Sequence, residues 1–234
     1  MTTLVFFHGW GASGQVWERQ AAAFGHRMTV LTPTVPVWGA GWFSDFLREM
    51  PLKDCLLVGW SLGGMLLLDA LSRLTGSPPG GLVLVGVAPV FTRRRDYPRG
   101  QPPAVVRAMR RALAADPPRL LAEFAGQCLA PGEGAMLSQA REALASQAAP
   151  ETLAAGLDYL LNRDLRPLLS RLPAGAVVIQ GQEDRIVPPA QGRFLQEQLP
   201  GARLHLLPAA GHLPFLTQAA AFNGILEQCL STAS

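Results

Sequence analysis

A chain of 234 residues, 49% apolar and 16% charged, has the length of one domain with room for an inserted subdomain, and its composition excludes a disordered chain. The longest near-continuous apolar run, Gly80 to Phe91, is too short for a bilayer, and no basic segment leads into an apolar stretch at the N-terminus, so neither a membrane span nor a secretory signal is expected. Net charge is +3, but eight arginines against two aspartates between Thr92 and Arg119 put +6 on that segment and −3 on the remainder, a pattern that points to an acidic partner and away from general nucleic-acid binding.

Short apolar runs recur along the chain. Leu4–Phe7, Met28–Leu31, Cys55–Gly59, Leu82–Val87, Ala176–Gln180 and Leu204–Leu207 read as six strands. The runs are continuous and not alternating, as in parallel strands covered on both faces. Helical patterns such as Leu62–Leu74 and Ala190–Leu199 separate most of them, which predicts an α/β fold with an open, doubly wound parallel sheet. One interval, about Pro89 to Pro173, breaks the rhythm: it is proline-rich and offers no good strand. Within it Val106, Met109 and Leu113 follow helix spacing, with Arg107, Arg110 and Arg111 beside the stripe. The expected organisation is therefore a core of residues 1–88 and 174–234 with a helical lid, 89–173, inserted into it. Cys55, Cys128 and Cys229 are few, odd in number and widely spaced, so no disulfide framework or zinc site is expected and a reducing cytoplasm fits best.

Four segments carry chemistry, each at the C-terminal end of a predicted strand, where open α/β sheets place their sites. Gly59-Trp60-Ser61-Leu62-Gly63-Gly64 matches Gly-x-Ser-x-Gly between a strand and a helix. The pattern alone would arise by chance in roughly one chain in ten of this length, so its strand–turn–helix setting decides in its favour. A serine on such a turn is exposed at a helix N-terminus, whose free N–H groups face a developing oxyanion. His8-Gly9-Trp10-Gly11 follows the first strand. Its backbone would supply one oxyanion donor, the N–H of Trp10, with the second from Leu62, while His8 itself is expected to be structural. Gly181 to Pro188 contributes Asp184, and Gly211-His212-Leu213-Pro214 contributes His212. The order Ser61, Asp184, His212 is that of a nucleophile, an orienting acid and a general base. Glu183 competes with Asp184 for the acid, whereas His205 falls in the last strand and His26 in a surface turn.

With these residues in place, the chain resembles the α/β-hydrolase superfamily and, within it, the pimeloyl-[acyl-carrier protein] methyl ester esterase family of biotin synthesis. The resemblance runs through most of the chain. It is carried by the His8–Gly11 loop, Trp17, the Trp60–Ser61 elbow, Asp96-Tyr97-Pro98-Arg99-Gly100, Asp164-Leu165-Arg166, and the Asp184 and His212 loops. It implies an α/β-hydrolase fold and hydrolysis of the methyl ester of a pimeloyl chain borne on acyl carrier protein, with activity on short-chain esters as well. It implies no metal or organic cofactor, and Trp60 joins Trp10 and Leu62 on the substrate side. It also implies an acidic carrier docking on basic residues of the lid, for which Arg93, Arg94, Arg95, Arg107, Arg110 and Arg111 are candidates.

Two departures stand out. Family members usually begin with two further strands, so about six mostly parallel strands are expected here, with one edge less protected. The family's usual Asp-x-x-Gly-x-Gly-x-Ser loop is replaced by Thr34 to Trp42, a departure that bears on the pocket wall on that side and not on the triad. A broader short-chain carboxylesterase, thioesterase or C–C hydrolase would share the same triad, as would a cofactor-free haloperoxidase. A non-enzymatic binding protein on the fold would usually lack a triad residue or an elbow glycine, and this chain keeps all of them.

Overall fold

The computed structural model describes residues 3–231. Strand β1 (Thr3–Phe7) leads through helix α1 (Glu18–Phe24) to β2 (Thr29–Leu31). Helix α2 (Ala40–Arg48) precedes β3 (Cys55–Trp60), which turns into α3 (Leu62–Leu71) and then β4 (Gly81–Val85). Four helices follow without an intervening strand: α4 (Pro103–Ala115), α5 (Pro117–Gln127), α6 (Leu137–Ala143) and α7 (Pro150–Asn162). The chain then re-enters the sheet as β5 (Val177–Gly181), crosses α8 (Pro189–Gln198) to β6 (Arg203–Leu207), and ends in α9 (Pro214–Thr217) and α10 (Ala219–Ser231).

The six strands form one parallel sheet in the order β2-β1-β3-β4-β5-β6. All six predicted strands are present. The fourth stops at Val85 and not at Val87, because Gly86 turns the chain with φ +52°. Residues of β1, β3 and β5 are wholly buried, as their unbroken apolar runs require, whereas the edge strands β2 and β6 are half-exposed.

The chain moves outward from β1 to β2, then returns to β3 and proceeds the other way. With right-handed crossovers this reversal puts α1 and α3 on opposite faces and opens a crevice at the C-terminal ends of β1 and β3. On the α1 face, Trp17 stacks between Phe6, Phe215 and Phe222. The Gln20 amide donates to Phe215 O and Asn223 Oδ1, tying α1 to the C-terminal helices. In α4, Val106 and Leu113 are buried and Arg107, Arg110 and Arg111 are exposed, the amphipathic arrangement their spacing predicts.

Helices of the 89–173 segment are tied to the sheet by a buried charge. Asp69 on α3 accepts from Arg73 at 2.8 Å, from Arg163 at 2.7 Å and from the Tyr159 hydroxyl at 2.9 Å. Burial alone would raise the Asp69 pKa, but these donors hold it below the usual carboxylate range. Among the described residues no helix is long and apolar enough to cross a membrane.

Candidate active site

Ser61 occupies the turn between β3 and α3 with φ 53° and ψ −121°, a conformation that a non-glycine residue adopts only under constraint. The constraint is the close crossing of backbones. A Cβ on Gly63 would lie 2.2 Å from the His8 carbonyl oxygen, and one on Gly59 would lie 2.6 Å from the Gly64 Cα. The Ser61 N–H is anchored on the Val85 carbonyl at 2.9 Å. The next residue, Gly86, passes so near the other two loops that a Cβ there would meet His212 Nδ1 at 2.9 Å and Asp184 Oδ2 at 3.3 Å.

Asp184 is buried and encircled by donors. Oδ1 accepts from the N–H groups of Ile186 (2.9 Å) and Val187 (2.8 Å), and Oδ2 from Gln180 Nε2 (3.0 Å). His212 Nδ1 lies 2.7 Å from the same Oδ2. Since every group facing the carboxylate is a donor, Nδ1 carries the hydrogen and Nε2 presents its lone pair. Nε2 is buried and has no hydrogen-bond partner, and Ser61 Oγ makes no hydrogen bond among the described residues. No hydrogen bond therefore joins Ser61 Oγ to the imidazole among the described residues. Glu183 points to solvent and does not meet the imidazole. His26 is exposed and His205 lies in β6, both away from this cluster.

The Gly9–Gly11 loop runs alongside: a Cβ on Gly9 would touch Ser61 Cβ at 3.1 Å. The backbone N–H groups of Trp10 and Leu62 donate to no group among the described residues. His8 is buried and neutral. Its Nδ1–H donates to Gly9 O at 2.9 Å, while Nε2 accepts from the Val35 N–H at 2.8 Å. Burial lowers its pKa to about 4, so it stays uncharged while it braces the loop. The Thr34–Trp42 stretch closes one wall, with Trp38 packing edge-on against His8 at 5.4 Å. Trp10, Trp38 and Leu62 converge on α7 at Gly156, where a Cβ would lie 2.8 to 3.0 Å from all three. Trp60, expected on the substrate side, is fully buried. Its indole N–H donates to His212 O at 3.0 Å and its ring packs on the imidazole, so in this structure it supports the histidine loop.

A strained serine at a strand–helix elbow, a histidine held by an aspartate and the sheet order that assembles them define a hydrolase architecture. The profile of the alpha/beta hydrolase family matches residues 4–225. The chain belongs to this family. This family member is 33% identical over 232 residues to the pimeloyl-[acyl-carrier protein] methyl ester esterase of Aromatoleum aromaticum, covering 92% of each chain. It is 31% identical over 240 residues to the same-named protein of Chromobacterium violaceum, covering 98% of this chain and 94% of that one. Among solved structures, an esterase from Exiguobacterium antarcticum superimposes with a TM-score of 0.90 at 24% identity, covering 100% of this chain and 92% of its own. A bromoperoxidase from Bacillus anthracis superimposes with a TM-score of 0.88 at 22% identity, over 98% and 92% of the two chains. At such identities these structures bear on the fold alone.

Within this hydrolase fold, two motifs far apart in sequence meet. Arg166 pairs with Asp96 (2.8 Å) and Asp164 (2.7 Å), and its guanidinium lies over the Tyr97 ring. The Tyr97 hydroxyl donates to Gln191 Oε1, and Gln191 in turn donates to Val90 O, which fixes this clamp to α8. Of the six arginines singled out, Arg94 is engaged by Asn162 O (2.6 Å) and Asp164 (3.9 Å), and Arg110 by Asp158 (3.3 Å). Arg93, Arg95, Arg107 and Arg111 are exposed with no acidic partner among the described residues.

Sequence reasoning missed Gln180, although a single polar residue in the apolar run Val177-Val178-Ile179-Gln180 was its signal. It also missed Glu133, Asp69 and Tyr159, each of which has a partner 78 to 94 residues away.

Proposed function

We propose that this chain is a serine carboxylesterase that hydrolyses the methyl ester of pimeloyl-[acyl-carrier protein], with Ser61 as nucleophile, His212 as general base and acid, and Asp184 as the group that orients it. The observation that carries the chemistry is the 2.7 Å Asp184–His212 contact with Nε2 left free, beside a serine strained onto an elbow. The substrate reading is supported by relatives of that name over nearly the whole chain.

In this mechanism Ser61 Oγ attacks the ester carbonyl as its proton passes to His212 Nε2. The tetrahedral oxyanion is met by the free N–H groups of Trp10 and Leu62, whose orientation is preset by the His8 brace and by the first turn of α3. Asp184, already satisfied by three other donors, stabilises the imidazolium without taking its proton. His212 returns the proton to the departing methoxy oxygen as the C–O bond breaks, and methanol leaves. Water, activated by the same imidazole, then releases the pimeloyl carboxylate and restores Ser61.

Residues 89–173 act as a lid in this reading, and the unpaired Arg93, Arg95, Arg107 and Arg111 form the centre of a docking face for an acidic carrier. No cofactor enters the mechanism, and a cytoplasmic setting goes with the carrier substrate. Expression in bacteria that lack their own pimeloyl methyl ester esterase tests the substrate: growth without biotin is the expected result. No growth from well-folded protein that still cleaves p-nitrophenyl acetate would reduce the reading to a general short-chain esterase.

A further inference from the structure

The His212 loop is held from three sides, and one of them belongs to the segment between β4 and β5. Asp184 holds the imidazole and Trp60 holds the His212 carbonyl. The third hold is the stretch after α5. Cys128 O accepts from the His212 N–H at 2.7 Å. Glu133, 78 residues from Gly211 in sequence, folds back so that Oε2 accepts from both the Ala130 N–H (2.8 Å) and the Gly211 N–H (3.1 Å). The fit is close: a Cβ on Gly211 would lie 2.3 Å from Cys128 O and 2.6 Å from Ala130 N.

Glu133 is only 8% exposed, its Oε1 is buried without a partner, and no cation pairs with it among the described residues. A buried carboxylate with one idle oxygen is costly, and its sole contacts are two backbone donors, one of them directly before the histidine. We propose that Glu133 is a positioning residue. Through the Gly211 amide it sets the direction of the His212 imidazole, and so couples the 89–173 segment to the readiness of Ser61. The proposal rests on His212 being the general base. A misplacement of that ring by a fraction of an ångström would slow proton transfer and leave ground-state binding of a small ester nearly unchanged.

Because Oε2 makes both bonds and Oε1 none, Glu133→Gln can keep its oxygen on both donors and put its amide nitrogen in the idle position. Glu133→Ala keeps neither bond. Steady-state kinetics on p-nitrophenyl butyrate, run beside His212→Ala, provide the test. We expect kcat of Glu133→Ala to fall about tenfold to a hundredfold with KM within about twofold, and Glu133→Gln to recover to within about threefold of the unaltered protein. Should Glu133→Ala not fold, Glu133→Met, which keeps the volume, takes its place. Wild-type kcat in the folded Ala or Met variant, equal damage in Gln and Ala, or failure of both Ala and Met to fold would each overturn the positioning role. Full activity in His212→Ala would instead overturn the base assignment, which keeps the two failures distinct.

Discussion

Replacing Asp184 with asparagine isolates the orienting role proposed for it, because the site is built to reject an amide. Both carboxylate oxygens accept from two donors each: Ile186 and Val187 N–H on Oδ1, Gln180 Nε2 and His212 Nδ1 on Oδ2. Whichever way the asparagine flips, its NH2 meets two donors. Placed toward Ile186 and Val187, it strands two backbone N–H groups in a buried loop. Placed toward His212, it forces the imidazole to shift its hydrogen to Nε2 or turn away, and no base then faces Ser61. Each buried bond to a charged acceptor contributes about 1.5–3 kcal/mol, so a stability loss of about 2–4 kcal/mol is expected after partial relaxation. The tautomer error should lower kcat about ten-thousandfold. Urea denaturation and p-nitrophenyl butyrate turnover measure the two effects separately. A folded Asp184→Asn protein within about tenfold of wild-type kcat would refute the reasoning, as would a loss of the expected size from Glu183→Gln instead.

The neutral His8 gives stability a pH dependence. Its folded pKa of about 4 lies below the ordinary 6.5, so the unfolded chain binds more protons between those values. Stability is complete above pH 6.5 and falls as pH drops toward 4, by about 3 kcal/mol from this group, and denaturant melts of His8→Gln should show a shallower fall over that window. Gly63→Ala drives a methyl into the His8 carbonyl 2.2 Å away, and since backbone cannot yield cheaply, a loss of about 3 kcal/mol or insoluble protein is expected on expression and melting. Asp69→Ala leaves Arg163 and the Tyr159 hydroxyl without their acceptor. Allowing for the exposure of Arg73, about 2–3 kcal/mol of stability should be lost in urea, with kcat on small esters little changed. Charge reversal at Arg107 and Arg111 should weaken turnover of carrier-bound ester, increasingly so at low salt, and spare p-nitrophenyl acetate; equal loss on both substrates would overturn the proposed docking.

The inner strands were legible because they are runs of apolar residues too short for a helix and buried on both faces, as at Val5-Phe6-Phe7 and Val177-Val178-Ile179. Ser61 was legible because its glycines are demanded by backbone contacts local to the elbow. Asp184 and His212 followed from chain order. What stayed hidden depends on distant pairing. Glu133 sits in Ala130-Pro131-Gly132-Glu133, which reads as a solvated turn, and only the approach of Gly211 makes its carboxylate a buried acceptor. Arg94 and Arg110 looked like the other arginines of their segment until α7 and the residues after it brought Asp158 and Asp164 beside them. The family resemblance put Trp60 on the substrate side, whereas its side chain packs toward Phe215 and the His212 loop.

The central claim is that Ser61 is a nucleophile activated by His212 on Asp184, and covalent labelling with a fluorophosphonate, read by mass spectrometry, tests it most directly. One adduct per chain, on Ser61, is the predicted result, absent in Ser61→Ala and slowed by orders of magnitude in His212→Ala. A folded protein that takes no label, or takes it on another residue while Ser61→Ala reacts like the unaltered chain, would contradict the account.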